Sequence, residues 1–114
     1  MVNQMAALDD VFAALADPTR RAIVERLARG EHTAGEIASA FAISQPAVSK
    51  HLKVLERCGV LKRTVRGREH RCRLNPRAMH KAGAWIERQQ RFWEASFERL
   101  DALLAEPPKN GAKR

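Results

Sequence analysis

Between Ser44 and Arg73 the chain gathers side chains that can hydrogen-bond base edges and neutralise phosphate. The stretch S-Q-P-A-V-S-K-H-L-K-V-L, Ser44 to Leu55, reads as one helix with two faces. Val48, Leu52 and Leu55 fall on one stripe at helical spacing, and Gln45, Ser49 and Lys53 fall on another. A glutamine amide can pair with adenine through two hydrogen bonds, and a serine hydroxyl can serve either base edge. Nine basic residues and two acidic ones, Glu56 and Glu69, lie within these thirty residues. Lys50, Lys53, Arg63, Arg66, Arg68, Arg71 and Arg73 are the natural phosphate contacts, which position a protein without specifying sequence. His51 lies between the apolar stripe and the exposed one, where it either donates to a phosphate or finishes the edge of the core.

The formal net charge of the 114 residues is +8. Residues 1–43 are slightly acidic and residues 74–106 are balanced, so the basicity is a local patch plus a short tail carrying Lys109, Lys113 and Arg114. Localised positive charge points to a polyanion, because phosphate neutralisation releases counterions. With no Tyr and 5% aromatic residues, a base-stacking single-strand binder is disfavoured and duplex DNA is the better partner. The N-terminus lacks a basic signal region, and no apolar run is long enough for a membrane span, which makes the cytosol the expected compartment. Two cysteines, Cys58 and Cys72, are too few for a disulfide framework.

These side chains need a scaffold, and the sequence punctuates one. Leu8, Val11, Phe12 and Leu15 give a first short helix of about ten residues. Asp17-Pro18 is an N-cap followed by a first-turn proline, and Gly30 is a plausible stop. T-A-G-E, Thr33 to Glu36, matches a capping box and opens a third helix with Ile37, Ala38 and Phe41 inward. Only Ala42 and Ile43 then precede the Ser44 cap of the fourth helix. Two short helices so joined form a helix-turn-helix. Gly59 sits just past the fourth helix. Leu61–Arg66 and Glu69–Leu74 flank Gly67-Arg68 as a two-residue hairpin, with His70, Cys72 and Leu74 predicted inward and Glu69, Arg71 and Arg73 outward. Asn75-Pro76 opens a long last helix, in which Met79, Ile86, Trp93 and Leu100 repeat every seven residues and are joined by Phe97 and Leu104. About thirty residues would run roughly 45 Å, so the surplus apolar stripe calls for a second subunit. The expected organisation is one domain, residues 1–106, mainly α with a small two-stranded hairpin, followed by a disordered basic tail, residues 107–114.

Three segments carry a family resemblance: A-L-A-D-P-T-R-R-A-I-V-E-R-L, I-S-Q-P-A-V-S-K-H-L-K-V-L-E-R-C-G-V-L and R-G-R-E-H-R-C-R-L. Over about residues 8 to 104 the chain resembles the ArsR/SmtB family of winged helix-turn-helix repressors. The resemblance implies a homodimer built on the first helix (Leu8, Val11, Phe12, Leu15) and the last (Met79, Ile86, Trp93, Phe97, Leu100, Leu104). It also implies a recognition helix, residues 44–57, in the major groove, with Ser44, Gln45, Pro46, Ala47, Ser49 and Lys50 as the groove contacts. The wing, residues 61–74, would present Arg66, Gly67 and Arg68 to the backbone or minor groove. Typical members repress transcription and leave DNA when an effector binds. Metal-sensing relatives carry a cysteine pair on the third helix. Here the matching positions are Thr33 and Gly35, and the last helix offers only His80, so metal sensing does not transfer.

No catalytic set emerges: there is no nucleophile elbow, phosphate-binding glycine loop or paired metal motif. No enzyme activity, cofactor or metal is expected. His70 and His80 each stand alone and read as structural or solvated. Cys58 and Cys72 read as small hydrophobes before they read as a redox switch. Trp85, Phe92 and Trp93 read as dimer core before they read as an effector pocket. The expected function is a sequence-specific DNA-binding regulator, a homodimeric repressor. Its rivals are a thiol- or metal-responsive repressor and a winged-helix adaptor that binds proteins without reading sequence. The MarR-type family shares the motif but usually devotes more residues to its dimer helices.

Overall fold

A computed structural model describes residues 2–105, with side-chain detail from residue 7. The predicted tail, residues 107–114, lies outside the described residues. The elements run α1 (Val2–Leu15), α2 (Pro18–Leu27), β1 (His32–Thr33), α3 (Ala34–Phe41), α4 (Gln45–Arg57), β2 (Leu61–Arg66), β3 (Glu69–Leu74) and α5 (Pro76–Ala105). This is a winged helix-turn-helix. The strands form one antiparallel sheet in the order β1-β3-β2. The expected hairpin therefore has a third strand: His32 pairs with Cys72 and Thr33 with Arg71. Two residues are too few to show alternation, which is why sequence periodicity missed β1. Helix α1 is 14 residues long, longer than its apolar spacing implied, because the Gln4-Met5-Ala6-Ala7 stretch has helix propensity without an apolar stripe.

The chain divides into two compact units, Met1–Ala82 and Gly83–Arg114. The first has the core, in which Ile23, Ile37, Leu52, Leu55 and Val60 are completely buried. Leu8, Phe12, Leu15 and Met79 pack partly buried against it. Val11 is a correction. It is only 4% exposed within this single chain, so it fills the protomer's own core and has no surface left for a partner. The hairpin brings a second correction: Cys72 is buried and Leu74 half-buried, but His70 is exposed, because the strand pair extends past the core edge before it reaches the turn. In the second unit, Trp85, Ile86, Phe92, Trp93, Phe97, Leu100, Leu103 and Leu104 are exposed. Trp93 meets Phe92 edge-on with 5.5 Å between ring centroids, and Phe97 lies at 5.9 Å.

Local chemistry sets the corners. The Asp17 carboxylate accepts from the Arg20 amide at 2.9 Å to cap α2. The α3 capping box closes both ways: Glu36 N donates to Thr33 Oγ1 at 3.1 Å, and Thr33 N donates to Glu36 Oε1 at 2.8 Å. Ser44 Oγ accepts from the Ala47 amide at 3.2 Å to cap α4. At the far end of α4, the amides of Gly59 and Val60 reach back to Glu56 O and Leu55 O, a Schellman arrangement with Gly59 at φ 85° and Val60 buried beyond it. Gly67, at φ 60°, turns the hairpin.

The helix-turn-helix corner is less comfortable. Ala42 adopts φ 53°, ψ 41° between α3 and α4, a left-handed conformation that costs an L-residue with a Cβ roughly 1–2 kcal/mol. Ala42→Gly removes that cost but adds unfolded-state entropy of about 0.4–1 kcal/mol. Urea unfolding should therefore show Ala42→Gly neutral or more stable by up to about 1 kcal/mol, and Leu52→Ala less stable by about 2–5 kcal/mol. A clear loss of stability in Ala42→Gly would contradict the strain at this turn.

Candidate nucleic-acid interface

Helix α4 is bolted down on one side only. Val48, Leu52 and Leu55 are 1%, 0% and 0% exposed, whereas Ser44, Gln45, Pro46, Lys50 and Lys53 are exposed and Ala47 and Ser49 are half-buried at the edges. The Ser44 oxygen is engaged by the helix cap, which leaves its hydroxyl proton to donate outward. Gln45 opens α4 at its N-terminus, where unpaired amides and the helix dipole favour a phosphate oxygen.

His51 is tied inward, to α2. Its Nδ1 lies 3.4 Å from Arg20 Nη1 and 3.9 Å from Asp17 Oδ2. The same Arg20 donates from Nε to Ala14 O at 2.6 Å, and Arg21 donates to Leu15 O at 2.9 Å. Two α2 arginines thus satisfy the terminal carbonyls of α1, and one of them continues to α4. The Arg20 amide holds the Asp17 carboxyl below its ordinary value.

The expected phosphate contacts divide into two groups. Arg63 donates to Glu56 at 3.0 Å, and its side chain is only 15% exposed. Arg71 lies 3.2 Å from Glu69 and 3.8 Å from Glu31. Lys50, Lys53, Arg66, Arg68 and Arg73 are exposed, and none of them forms an ion pair among the described residues. Gly67 is exposed in the wing turn between Arg66 and Arg68. Beside them sits a feature the sequence reading overlooked: Val65, 56% exposed, an apolar side chain among the wing arginines. In the strand register Val65 shares a face with Leu61 and Arg63, but the hairpin has passed the edge of the core before it reaches Val65.

The positions that bear cysteine in metal-sensing relatives are otherwise occupied here. Thr33 is committed to the capping box and Gly35 has no side chain, so these residues do not fit a thiolate metal site. No group of three or more His, Cys, Asp or Glu residues comes together among the described residues, and His80 is exposed. No helix among them is long and apolar enough to cross a membrane.

Comparisons with known proteins agree with this geometry. A helix-turn-helix domain family matches residues 15–64. The HTH-type transcriptional regulator Rv2034 of Mycobacterium tuberculosis is 60% identical over 48 residues, 42% of this chain and 45% of that protein. The transcriptional repressor SdpR of Bacillus subtilis is 46% identical over 54 residues, 47% of this chain and 60% of that protein. The matches thus span about half the length of these curated relatives. The crystal structure of an ArsR family transcriptional regulator superposes with a TM-score of 0.72 at 39% identity, covering 77% of this chain and 97% of that one.

The two thiols differ in accessibility. Cys58 is half-buried and donates to Leu55 O at 3.4 Å. Cys72 is fully buried, and desolvation pushes its thiol upward in pKa, partly offset by Arg63. Less thiolate at neutral pH means slower reaction. Ellman's reagent should therefore modify Cys58 first in the native protein and Cys72 only as urea unfolds it. Rapid modification of the native Cys58→Ser variant would overturn this ordering and revive a thiol switch at Cys72.

Proposed function

The chain belongs to the ArsR/SmtB family of winged helix-turn-helix transcriptional regulators, and on that premise we propose that it is a homodimeric repressor of a DNA operator. Helix α4 enters the major groove, with Gln45 and Ser49 at base edges and Ser44, Pro46, Ala47 and Lys50 lining the approach. The observation that carries this reading is the one-sided anchoring of α4. A fully buried stripe stands opposite an exposed polar one, and Lys50, Lys53, Arg66, Arg68 and Arg73 form no ion pair among the described residues. Arg66, Gly67 and Arg68 form the wing tip at the backbone or minor groove, and Lys53 and Arg73 add phosphate contacts. Arg71, paired with two carboxylates, contributes less. The similarity to the repressor SdpR supports repression as the outcome, by steric block of polymerase.

Dimerisation follows from the second unit. Ile86, Trp93, Phe97, Leu100 and Leu104 are exposed on one helix, and a run of large apolar side chains in water favours burial against a second copy. The first helix supplies Leu8, Phe12 and Leu15 at most, since Val11 is used internally. A twofold dimer would place its recognition helices about 34–36 Å apart, one turn of B-form DNA. The regulator would act in the cytosol.

Selection of bound duplexes from a random pool, followed by fluorescence anisotropy, tests the reading. Gln45→Ala should cost about 1–3 kcal/mol on the selected duplex and little on a scrambled one. Arg68→Ala should weaken binding to both and reduce the salt slope by about one unit. Failure of the wild-type chain to prefer any duplex would favour the protein-binding adaptor instead. In sedimentation velocity, Trp93→Glu should shift a dimer to monomer; a wild-type monomer at micromolar concentration would refute the dimer.

A further inference from the structure

Arg63 lies midway along β2, opposite Cys72 in the strand register. Alternation puts it on the same face as Leu61 and Val65, with Leu74, Cys72 and His70 across the pair. Leu61 and Cys72 on this face are buried, so an arginine there needs a counter-charge. Helix α4 supplies it. Arg63 Nη2 donates to Glu56 Oε1 at 3.0 Å, and Nη1 lies 3.4 Å from His70 Nδ1. The Arg63 Nε is shielded from solvent, and the side chain as a whole is 15% exposed against 44% for Glu56. Glu56 sits in the last turn of α4. Between that turn and β2 the backbone passes through Cys58, Gly59 and Val60, with Gly59 in a left-handed conformation. Beyond Arg63 and Cys72 every residue of the hairpin except Arg71 is exposed. Among the described residues, Glu56–Arg63 is the side-chain hydrogen bond joining α4 to the hairpin.

We infer that Glu56 and Arg63 form a strut that fixes the pitch of the wing against the recognition helix, which makes them positioning residues for sequence discrimination and withdraws Arg63 from phosphate binding. This rests on the regulator reading above. A carboxylate at the end of a helix that approaches DNA repels the phosphates, so an acid with no structural task would only weaken binding. As a strut it acts in the opposite direction. It lets groove contacts from α4 and wing contacts from Arg66 and Arg68 be made in one register, which matters for the cognate site and not for a random one. The planar guanidinium fork suits this task, because it holds one carboxylate oxygen in a fixed direction while its stem packs along the sheet.

The experiment uses the full chain, a duplex selected from a random pool and a scrambled duplex of equal length. Glu56→Gln should weaken binding to the selected duplex about tenfold while binding to the scrambled duplex stays the same or tightens. Arg63→Gln should lower the same ratio and leave the salt slope at its wild-type value, unlike Arg68→Ala. The exchanged pair, Glu56→Arg with Arg63→Glu, should restore the ratio to within about threefold. Thermal unfolding accompanies each variant, and if a single variant unfolds the exchanged pair decides alone: recovery supports the strut and persistent loss refutes it. Tighter binding of Glu56→Gln to both duplexes with an unchanged ratio would overturn the strut, as would a salt slope reduced by one unit in Arg63→Gln. If the wild type itself shows no preference, the regulator reading falls and the strut falls with it. If the wild type prefers its duplex and Glu56→Gln keeps that preference, the strut alone falls.

Discussion

Removal of Val48, Leu52 and Leu55 from water holds α4 in place, and the remaining features of the candidate interface depend on it. Burying three such side chains contributes roughly 1.5–3 kcal/mol each before entropy is counted, comparable to the net stability of a small domain. Only one stripe can be used this way. A 13-residue helix buried all round could not read anything, and one with no buried stripe would not hold its angle to the sheet. The opposite stripe is therefore free for exposed polar side chains because its partner is packed so completely. Each end of α4 is closed by a different device, the Ser44 hydroxyl at the start and the Gly59 Schellman turn at the finish. The register of the helix and the phase of its faces are thereby fixed together.

Charge is distributed by the same logic. Within the hairpin the half-buried arginines, Arg63 and Arg71, are matched with acids, and the exposed ones, among the described residues, are not. Arg63 is largely covered and finds Glu56; leaving it unpaired would strand a charge where solvent cannot compensate. Arg71, at 42% side-chain exposure, sits between two acids in an arrangement of modest energetic worth. Arg66 and Arg68, past the edge of the core, need no partner and have none among the described residues. An excess of positive charge on a small protein is destabilising through self-repulsion, and placing the unpaired part at the hairpin tip keeps those charges apart from the packed region. Local pairing and peripheral excess are two answers to one electrostatic problem.

Much of this was legible in the residues themselves, and what was legible was local. Asp17-Pro18, T-A-G-E, Ser44 and Gly67 each act within three or four residues, and each forms the cap or turn its chemistry predicts. The long-range facts were not legible. Nothing near His32 shows that it pairs with Cys72, forty residues away. The seven-residue separation of Glu56 and Arg63 spans a helix, a turn and a strand, so neither helical nor strand periodicity relates them. Val11 and Leu15 look alike on a helical wheel, yet one is buried in the protomer and the other half-exposed, because only the packing of α2 and α4 decides which. His70 obeys the alternation of its strand and is still exposed, since alternation gives the face of a sheet and not how far the core extends beneath it.

The third helix shows how closely stability and sensing can compete for one position. Thr33 has two tasks: its backbone closes β1 against Arg71, and its hydroxyl caps α3. Glu36 answers from the other side of the box, and the amide of Thr33 holds its carboxyl below the usual value. A thiolate at position 33, as metal-sensing relatives require, would remove the hydroxyl half of this cap, and losing an N-cap costs about 1 kcal/mol. In this chain the cap is closed by Thr33 and Glu36 themselves. Helices α1, α2 and α3 all pack directly on α4, as does β2, so a change in any of them, the Arg20–His51 contact included, can reach the candidate interface.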